Sequence, residues 1–451
     1  MMAACRARLD HRADDASRMP GMLGALLLAT LSSPTATAGL LLANAHLVDP
    51  ATKSITLAHV HIEGAKVVEI STELPPRFDG ETIDLQGRYL IPGLVDAHVH
   101  SGWNRGPIGA PDEELGIEET ARRMLIAGVT AYLDLGSHAN RIFPVRDEQR
   151  LGKSTLAADI YAAGPVFVSI GRPGAGNGPI IVQTRMEARR ELDRLAAKHP
   201  DVIKVVFDWA RERRTMDEEV MRALVGHAQE LHLKTVVHIG TWENARLAVD
   251  AGATAITHLD DTAEFPEALA EAMAAKHVFS IPTMAVQQDF LDVLEDHRLL
   301  DNPLLRLVAG EDLLNGYRAL DSTEYADCPT CRWQREGRKY YGASLSRLAH
   351  AGVPIVAGSD SGNLGTFQGF SLHRELILLH QWGLSIWDAL AAGTSRAYEL
   401  LGLNMGFSPG ADATFLVLSA SPLDDIANTQ RIERILFHGQ WVDRTALVTR
   451  H

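Results

Sequence analysis

Cysteine is scarce in this chain: three residues in 451, at Cys5, Cys328 and Cys331. That excludes a scaffold built on disulfides. The isolated Cys328-Pro-Thr-Cys331 also lacks the second ligand pair of a zinc knuckle. In an oxidising compartment it is expected to close as one small surface disulfide. Aromatic residues reach only 6%, and 43 Lys and Arg are outnumbered by 57 Asp and Glu, for a formal net charge of −14. So acidic a chain lacks the basic face that phosphate backbones require, and no nucleic-acid partner is expected. Beyond residue 38 no apolar run has the length of a membrane span. Short-period repeats and low-complexity tracts are missing as well.

What remains is ordinary globular composition, 46% hydrophobic and 22% charged. The length suits one large barrel with a smaller attached domain. Residues 1–38 stand apart. Arg6, Arg8, Arg12 and Arg18 precede the apolar run from Met22 to Ala29, and Ala36-Thr37-Ala38 follows with small residues. Basic, apolar and small-residue regions in that order form an export signal, with cleavage expected near Ala38. The mature protein is then expected in a secreted or periplasmic location, free of the membrane. The acids Asp10, Asp14 and Asp15 are out of place in such a signal and point to a start at Met19 or Met22.

From about Leu40 to Leu90 short β segments such as Val60-His61-Ile62 and Lys66 to Ile70 alternate with turns at Asp49-Pro50 and Glu63-Gly64. The texture returns in Ala413 to Leu418 and Ile432 to Phe437. The two ends are expected to share a β-sandwich, residues 39–90 and 404–451, beside a (β/α)₈ barrel over residues 91–403. Inside that interval eight apolar runs alternate with helical stretches, the signature of parallel βα units. They are Leu90–His98, Val129–Asp134, Asp159–Ala162, Val202–Phe207, Thr235–Ile239, Ala255–His258, His277–Pro282 and Pro354–Asp360. The longest gap, roughly Gln287 to Leu348, reads as charged and helical, a lid or an interface.

Polar residues fall at telling places on those runs. His98 and His100 are two apart at the end of the first strand and share a face. Lys204 lies within the apolar fourth strand, His238 and His258 end the fifth and sixth, and Asp360 closes the eighth. Strand C-termini in such a barrel converge on one mouth, so these six would meet. Imidazole and carboxylate ligands suit zinc and similar divalent ions. A charged ammonium between Ile203 and Val205 would be costly to bury. A neutral amine there can instead take up CO₂ as a carbamate, an anionic ligand able to bridge two metals. Two metals sharing a water lower its pKa and supply hydroxide near neutral pH. Asp360 would bind one metal and carry the nucleophile's proton to the leaving group.

These segments resemble the amidohydrolase superfamily. Ile91-Pro92-Gly93-Leu94-Val95-Asp96-Ala97-His98-Val99-His100 is similar to that family's first-strand motif, and Ala357-Gly358-Ser359-Asp360 to its eighth. Val202-Ile203-Lys204 looks like the carboxylated-lysine segment of its imidazolonepropionase-like and Xaa-Pro dipeptidase branch, and Ser408 to Ala413 like its return to the sandwich. The resemblance implies two divalent ions, most simply Zn²⁺. His98, His100 and Asp360 would hold the more buried one, His238 and His258 the more exposed one, and carboxylated Lys204 would bridge them. It implies amide hydrolysis of dipeptides or N-acyl amino acids, with a cyclic amide or lactone as the alternative substrate. It further implies a small-molecule partner and a symmetric homo-oligomer. Three loops depart from the pattern: Gly171 to Gly178 has no histidine, His258 is followed by Leu259, and Phe207-Asp208-Trp209-Ala210-Arg211 is not glycine-rich. Arg172, Trp209, Arg211 and Trp242 are the candidates to grip a substrate carboxylate or ring.

Overall fold

The computed structural model describes residues 39–448 apart from 108, 154–155, 171–177, 211–212, 215, 322, 324 and 326–327. The expected export signal therefore lies outside the described residues, as do Arg172 and Arg211. No helix among the described residues is long and apolar enough to cross a membrane.

The barrel strands are short, apolar and buried on both faces, as parallel strands under a helical coat must be. Leu94–Val99 pairs in parallel with Val129–Asp134, which pairs with Asp159–Ala162. Val202–Phe207 pairs with Lys234–Ile239, followed by Ala255–Thr257 and Phe279–Ile281. Backbone hydrogen bonds outside the regular ladders close the ring. Asp201 N donates to Ala162 O at 2.9 Å, Val356 N to Ser280 O at 2.8 Å, and Ala97 N to Ala357 O at 3.0 Å. The eighth run, residues 354–360, thus lies between the seventh strand and the first. The result is the α/β barrel read from the sequence.

The two chain ends form one eight-stranded sheet. Its core gathers Leu42, Val60, Val67 and Leu90 from the front of the chain with Phe415, Val417 and Leu436 from the back. Val67 N donates to Ala411 O and Ala413 N to Ala65 O, so the edge strand Lys66–Ser71 curls back onto the segment that leads into Phe415–Leu418. The pairing is not purely antiparallel, because Gly39–Asp49 runs parallel to both Gly80–Asp84 and Tyr89–Pro92.

The run Leu90–His98 reads as one strand but is broken at Gly93. Tyr89–Pro92 pairs with Phe415–Leu418 in the sheet, whereas Leu94–Val99 belongs to the barrel. A Cβ at Gly93 would lie 2.3 Å from Thr130 Oγ1 and 2.7 Å from Thr414 Cγ2. Only glycine lets the backbone pass between barrel and sheet.

The long interval after the seventh strand folds into helices Met284–Glu295, Glu311–Arg318, Pro329–Gly337 and Tyr341–His350 with shorter turns between. Their buried residues Leu314, Tyr317, Tyr341 and Leu345 join the main core. Cys328 and Cys331 are joined by a disulfide at the start of Pro329–Gly337. Gln334 of that helix accepts from Leu291 N at 2.8 Å and donates to Val286 O at 2.9 Å, bracing Met284–Glu295. Tyr317 is buried, with its ring edge-on to Phe367. Its hydroxyl donates to Arg105 O at 2.7 Å and accepts from Gly365 N at 2.9 Å. It ties the loop after the first strand to the loop after the eighth. Tyr317→Phe keeps the packing but leaves both backbone groups without this partner. A loss of about 1–3 kcal/mol is expected in urea unfolding, the range for unsatisfied buried groups.

Candidate active site

Five of the six candidate ligands lie at or just past the end of a barrel strand, and Lys204 lies inside the fourth. His98 and Lys204 are almost fully enclosed, 1% and 2% exposed, and Asp360 is 6% exposed. His98 Nε2 lies 3.3 Å from Lys204 Nζ and 3.3 Å from Asp360 Oδ1. His100 Nε2 lies 3.0 Å from the same carboxylate oxygen. The His258 ring is centred 5.2 Å from that of His98 and 4.2 Å from that of His238. All six positions singled out from the sequence therefore form one continuous cluster. His98, His100 and Asp360 each present a ligand atom within 4.8 Å of the others, a spacing one cation can span.

Strained backbone aims two of these side chains. His258 and Asp360 have φ of +75° and +55°, in the left-handed region that non-glycine residues seldom adopt. Such strain is held by its surroundings and gathers at functional sites. Asp360 N donates to His98 O at 2.8 Å, and His258 N to Ile281 O at 2.9 Å. Glycine makes room where two ligands approach a neighbouring chain. A Cβ at Gly136 would lie 2.9 Å from the His100 ring, and one at Gly358 2.8 Å from His98 Cβ.

Burial and the neighbouring charges together set the protonation states. Burial pushes the Lys204 amine down to about 7, against the pull of Asp360. It holds His98 and His258 well below the usual imidazole range, His258 with added repulsion from His238. Burial also works to raise Asp360, but His98, His100 and His258 outweigh it and keep the carboxyl well below its usual value. His100 is pulled the other way, since its bond to Asp360 overcomes desolvation and raises it. The mouth therefore presents two neutral imidazoles, His98 and His258, with a readily deprotonated amine and an ionised carboxylate. That donor set fits a divalent cation.

Neighbouring hydroxyls orient the rings. Thr283 Oγ1 donates to Pro282 O at 2.7 Å, so toward His258 Nδ1, also 2.7 Å away, it accepts. His258 then carries its proton on Nδ1, leaving the Nε2 lone pair free for a cation, the usual arrangement around a metal-bound imidazole. Thr257 Oγ1 lies 2.8 Å from His98 Nδ1. Buried Asp96 accepts from Ser359 N at 2.9 Å and His98 N at 3.2 Å, pinning the eighth strand to the first.

The sequence reading missed several of these residues. Asp208 appeared only as a departure after the fourth strand, yet its Oδ2 lies 3.3 Å from His238 Nε2. Its signal was position, one residue beyond a strand that carries Lys204. Thr257 and Thr283 had no signal, because their role exists only across strands. Of the expected substrate contacts, Trp209 lies on a short strand, Trp209–Ala210, paired with Arg213–Arg214, and its side chain is outside the described residues. Trp242 differs from expectation. Its ring is buried against Phe265, with centroids 4.4 Å apart, and its Nε1 donates to Ala263 O at 2.9 Å. As the first residue of helix Trp242–Ala251, it faces the packing between helices and has no polar group left to offer a substrate.

Known proteins share the family and the fold. The model described as Amidohydrolase family matches residues 89–442. An uncharacterised protein of Mycobacterium tuberculosis is 23% identical over 391 residues, covering 82% of this chain and 89% of its own length. Among solved structures, a Xaa-Pro dipeptidase with bound methionine in its active site superposes with a TM-score of 0.72 at 17% identity, covering 90% of this chain and 100% of that one. A putative prolidase from Bifidobacterium longum superposes with a TM-score of 0.70 at 21% identity, covering 92% and 98%. With the family model spanning most of its length and the barrel's ligand cluster intact, the chain belongs to the amidohydrolase family and is a hydrolase acting on carbon–nitrogen bonds.

Proposed function

We propose that this metal-dependent amide hydrolase works with two divalent cations and cleaves dipeptides, Xaa-Pro among them, or N-acyl amino acids. The observation that carries the reading is Lys204, an amine brought near neutrality by burial and set 3.3 Å from His98 Nε2. Zinc is the natural choice for a site of imidazoles and carboxylates. His98, His100 and Asp360 would hold one cation, and His238 and His258 the other. Lys204 would stand between them after its neutral amine adds to CO₂, forming an N–C bond and releasing one proton to give a carbamate. Bound cations would polarise the scissile carbonyl and acidify water.

The protein's own groups do the rest. Asp360, held ionised by three histidines, takes up the nucleophile's proton and returns it to the departing amine. Thr283 and Thr257 keep the imidazoles oriented. Dipeptides as substrates are supported by the names of the similar dipeptidase and prolidase structures. An exported location is part of the same proposal, and the Cys328–Cys331 disulfide fits an oxidising compartment.

Chelation should abolish cleavage of a dipeptide such as Met-Pro, and Zn²⁺ with bicarbonate should restore it; full activity in metal-stripped protein would refute the reading. Asp360→Asn should lower kcat by about 10²–10⁴-fold with an unchanged far-ultraviolet circular dichroism spectrum, the range for losing a positioned proton carrier. Thr283→Val frees His258 Nδ1 and should weaken Zn²⁺ binding by about 10–100-fold in a calorimetric titration.

A further inference from the structure

Asp360 is not shaped by the histidines alone. Three residues on, Asn363 Nδ2 donates to Asp360 Oδ1 at 2.8 Å and to Asp360 O at 3.1 Å. Both partners are acceptors, so the group facing them is the amide NH₂. Thr366 Oγ1 also lies 3.1 Å from Asp360 O, and Asn363 N donates to that hydroxyl at 3.2 Å. This small knot braces a backbone held at φ +55°. Its far end is fixed in turn, because Gly365 N donates to buried Tyr317.

The contact also distinguishes the two carboxylate oxygens. His98 and His100 both approach Oδ1, the oxygen that Asn363 binds. An amide NH₂ can only donate, so it requires Oδ1 to stay an acceptor. On its other side Asn363 lines an open cavity of about 410 Å³ with Arg105, Pro107 and Leu364. Asn363 therefore touches both the carboxylate and this cavity.

We propose that Asn363 is a positioning residue for Asp360, committing Oδ1 to the cation side of the site and leaving Oδ2 to carry the proton. The inference rests on the metal-dependent reading of Asp360 above. Without Asn363 the carboxylate can rotate about its Cβ–Cγ bond, and either oxygen can take either role.

The test compares Asn363→Ala, Asn363→Ser and Asn363→Asp with Asp360→Asn and the unaltered protein. Met-Pro and N-acetyl-L-methionine serve as substrates, and Co²⁺ binding is followed by visible absorption. Asn363→Ala should lower kcat by about 10–100-fold with KM within about twofold and weaken Co²⁺ binding by about tenfold, the usual cost of losing a group that orients a ligand. Asn363→Ser should recover part of the loss through its hydroxyl donor. Asn363→Asp should fall below Asn363→Ala, because a second carboxylate repels the first. Unaltered kcat and Co²⁺ affinity in Asn363→Ala, beside an inactive Asp360→Asn, would overturn this inference and leave the function standing. A kcat loss that merely follows the folded fraction in thermal unfolding would overturn it too. Unaltered protein that neither binds Co²⁺ nor cleaves either substrate would remove both readings.

Discussion

An amine enclosed at 2% exposure inside a closed ring of parallel strands is the constraint on which this site depends. Charge on that amine opposes burial, so the enclosure drives it toward its neutral form. The same enclosure keeps His98 and His258 neutral, while the histidines together hold Asp360 ionised. Groups with ordinary affinities for protons are thereby converted into a set of ligands. The barrel supplies the dryness and the convergence, and neither property belongs to any one strand.

Holding such a set in place costs backbone freedom, and the surrounding structure meets that cost in identifiable ways. Left-handed conformations at His258, Thr283 and Asp360 place side chains that regular strands would point elsewhere. Hydrogen bonds from Asn363 and between strands brace them. The helical insertion after the seventh strand contributes through Gln334, which braces the helix following Thr283, and through Tyr317, which joins two active-site loops. Stability of the insertion and order at the mouth are thus one problem.

How far the sequence was legible follows from what each residue does locally. His98 and His100, two apart at the end of an apolar run, announce themselves by strand periodicity, and Lys204 by its apolar neighbours Ile203 and Val205. The break at Gly93 was hidden, because Leu90 to His98 is apolar throughout and only the squeeze between Thr130 and Thr414 divides it. Trp242 looked available for a ring or carboxylate, yet its indole is committed to Phe265 and to Ala263 O. Asp208 and Thr283 have ordinary identities at ordinary places, and their importance comes wholly from which histidine lies across from them.

The sequence by itself determined the alternation of strands and helices, the pairing of the two chain ends and the six polar side chains on or just after the barrel strands. All of these are written in periodicity and residue type along the chain. Tertiary structure decided which of those side chains share a proton or an oxygen, which threonine orients which ring, and which oxygen of Asp360 faces inward. These are relations between residues as much as 263 positions apart, as for Ser359 and Asp96. They exist only once the ring has closed, because hydrogen bonding and desolvation act over a few ångströms of space and take no account of distance along the chain.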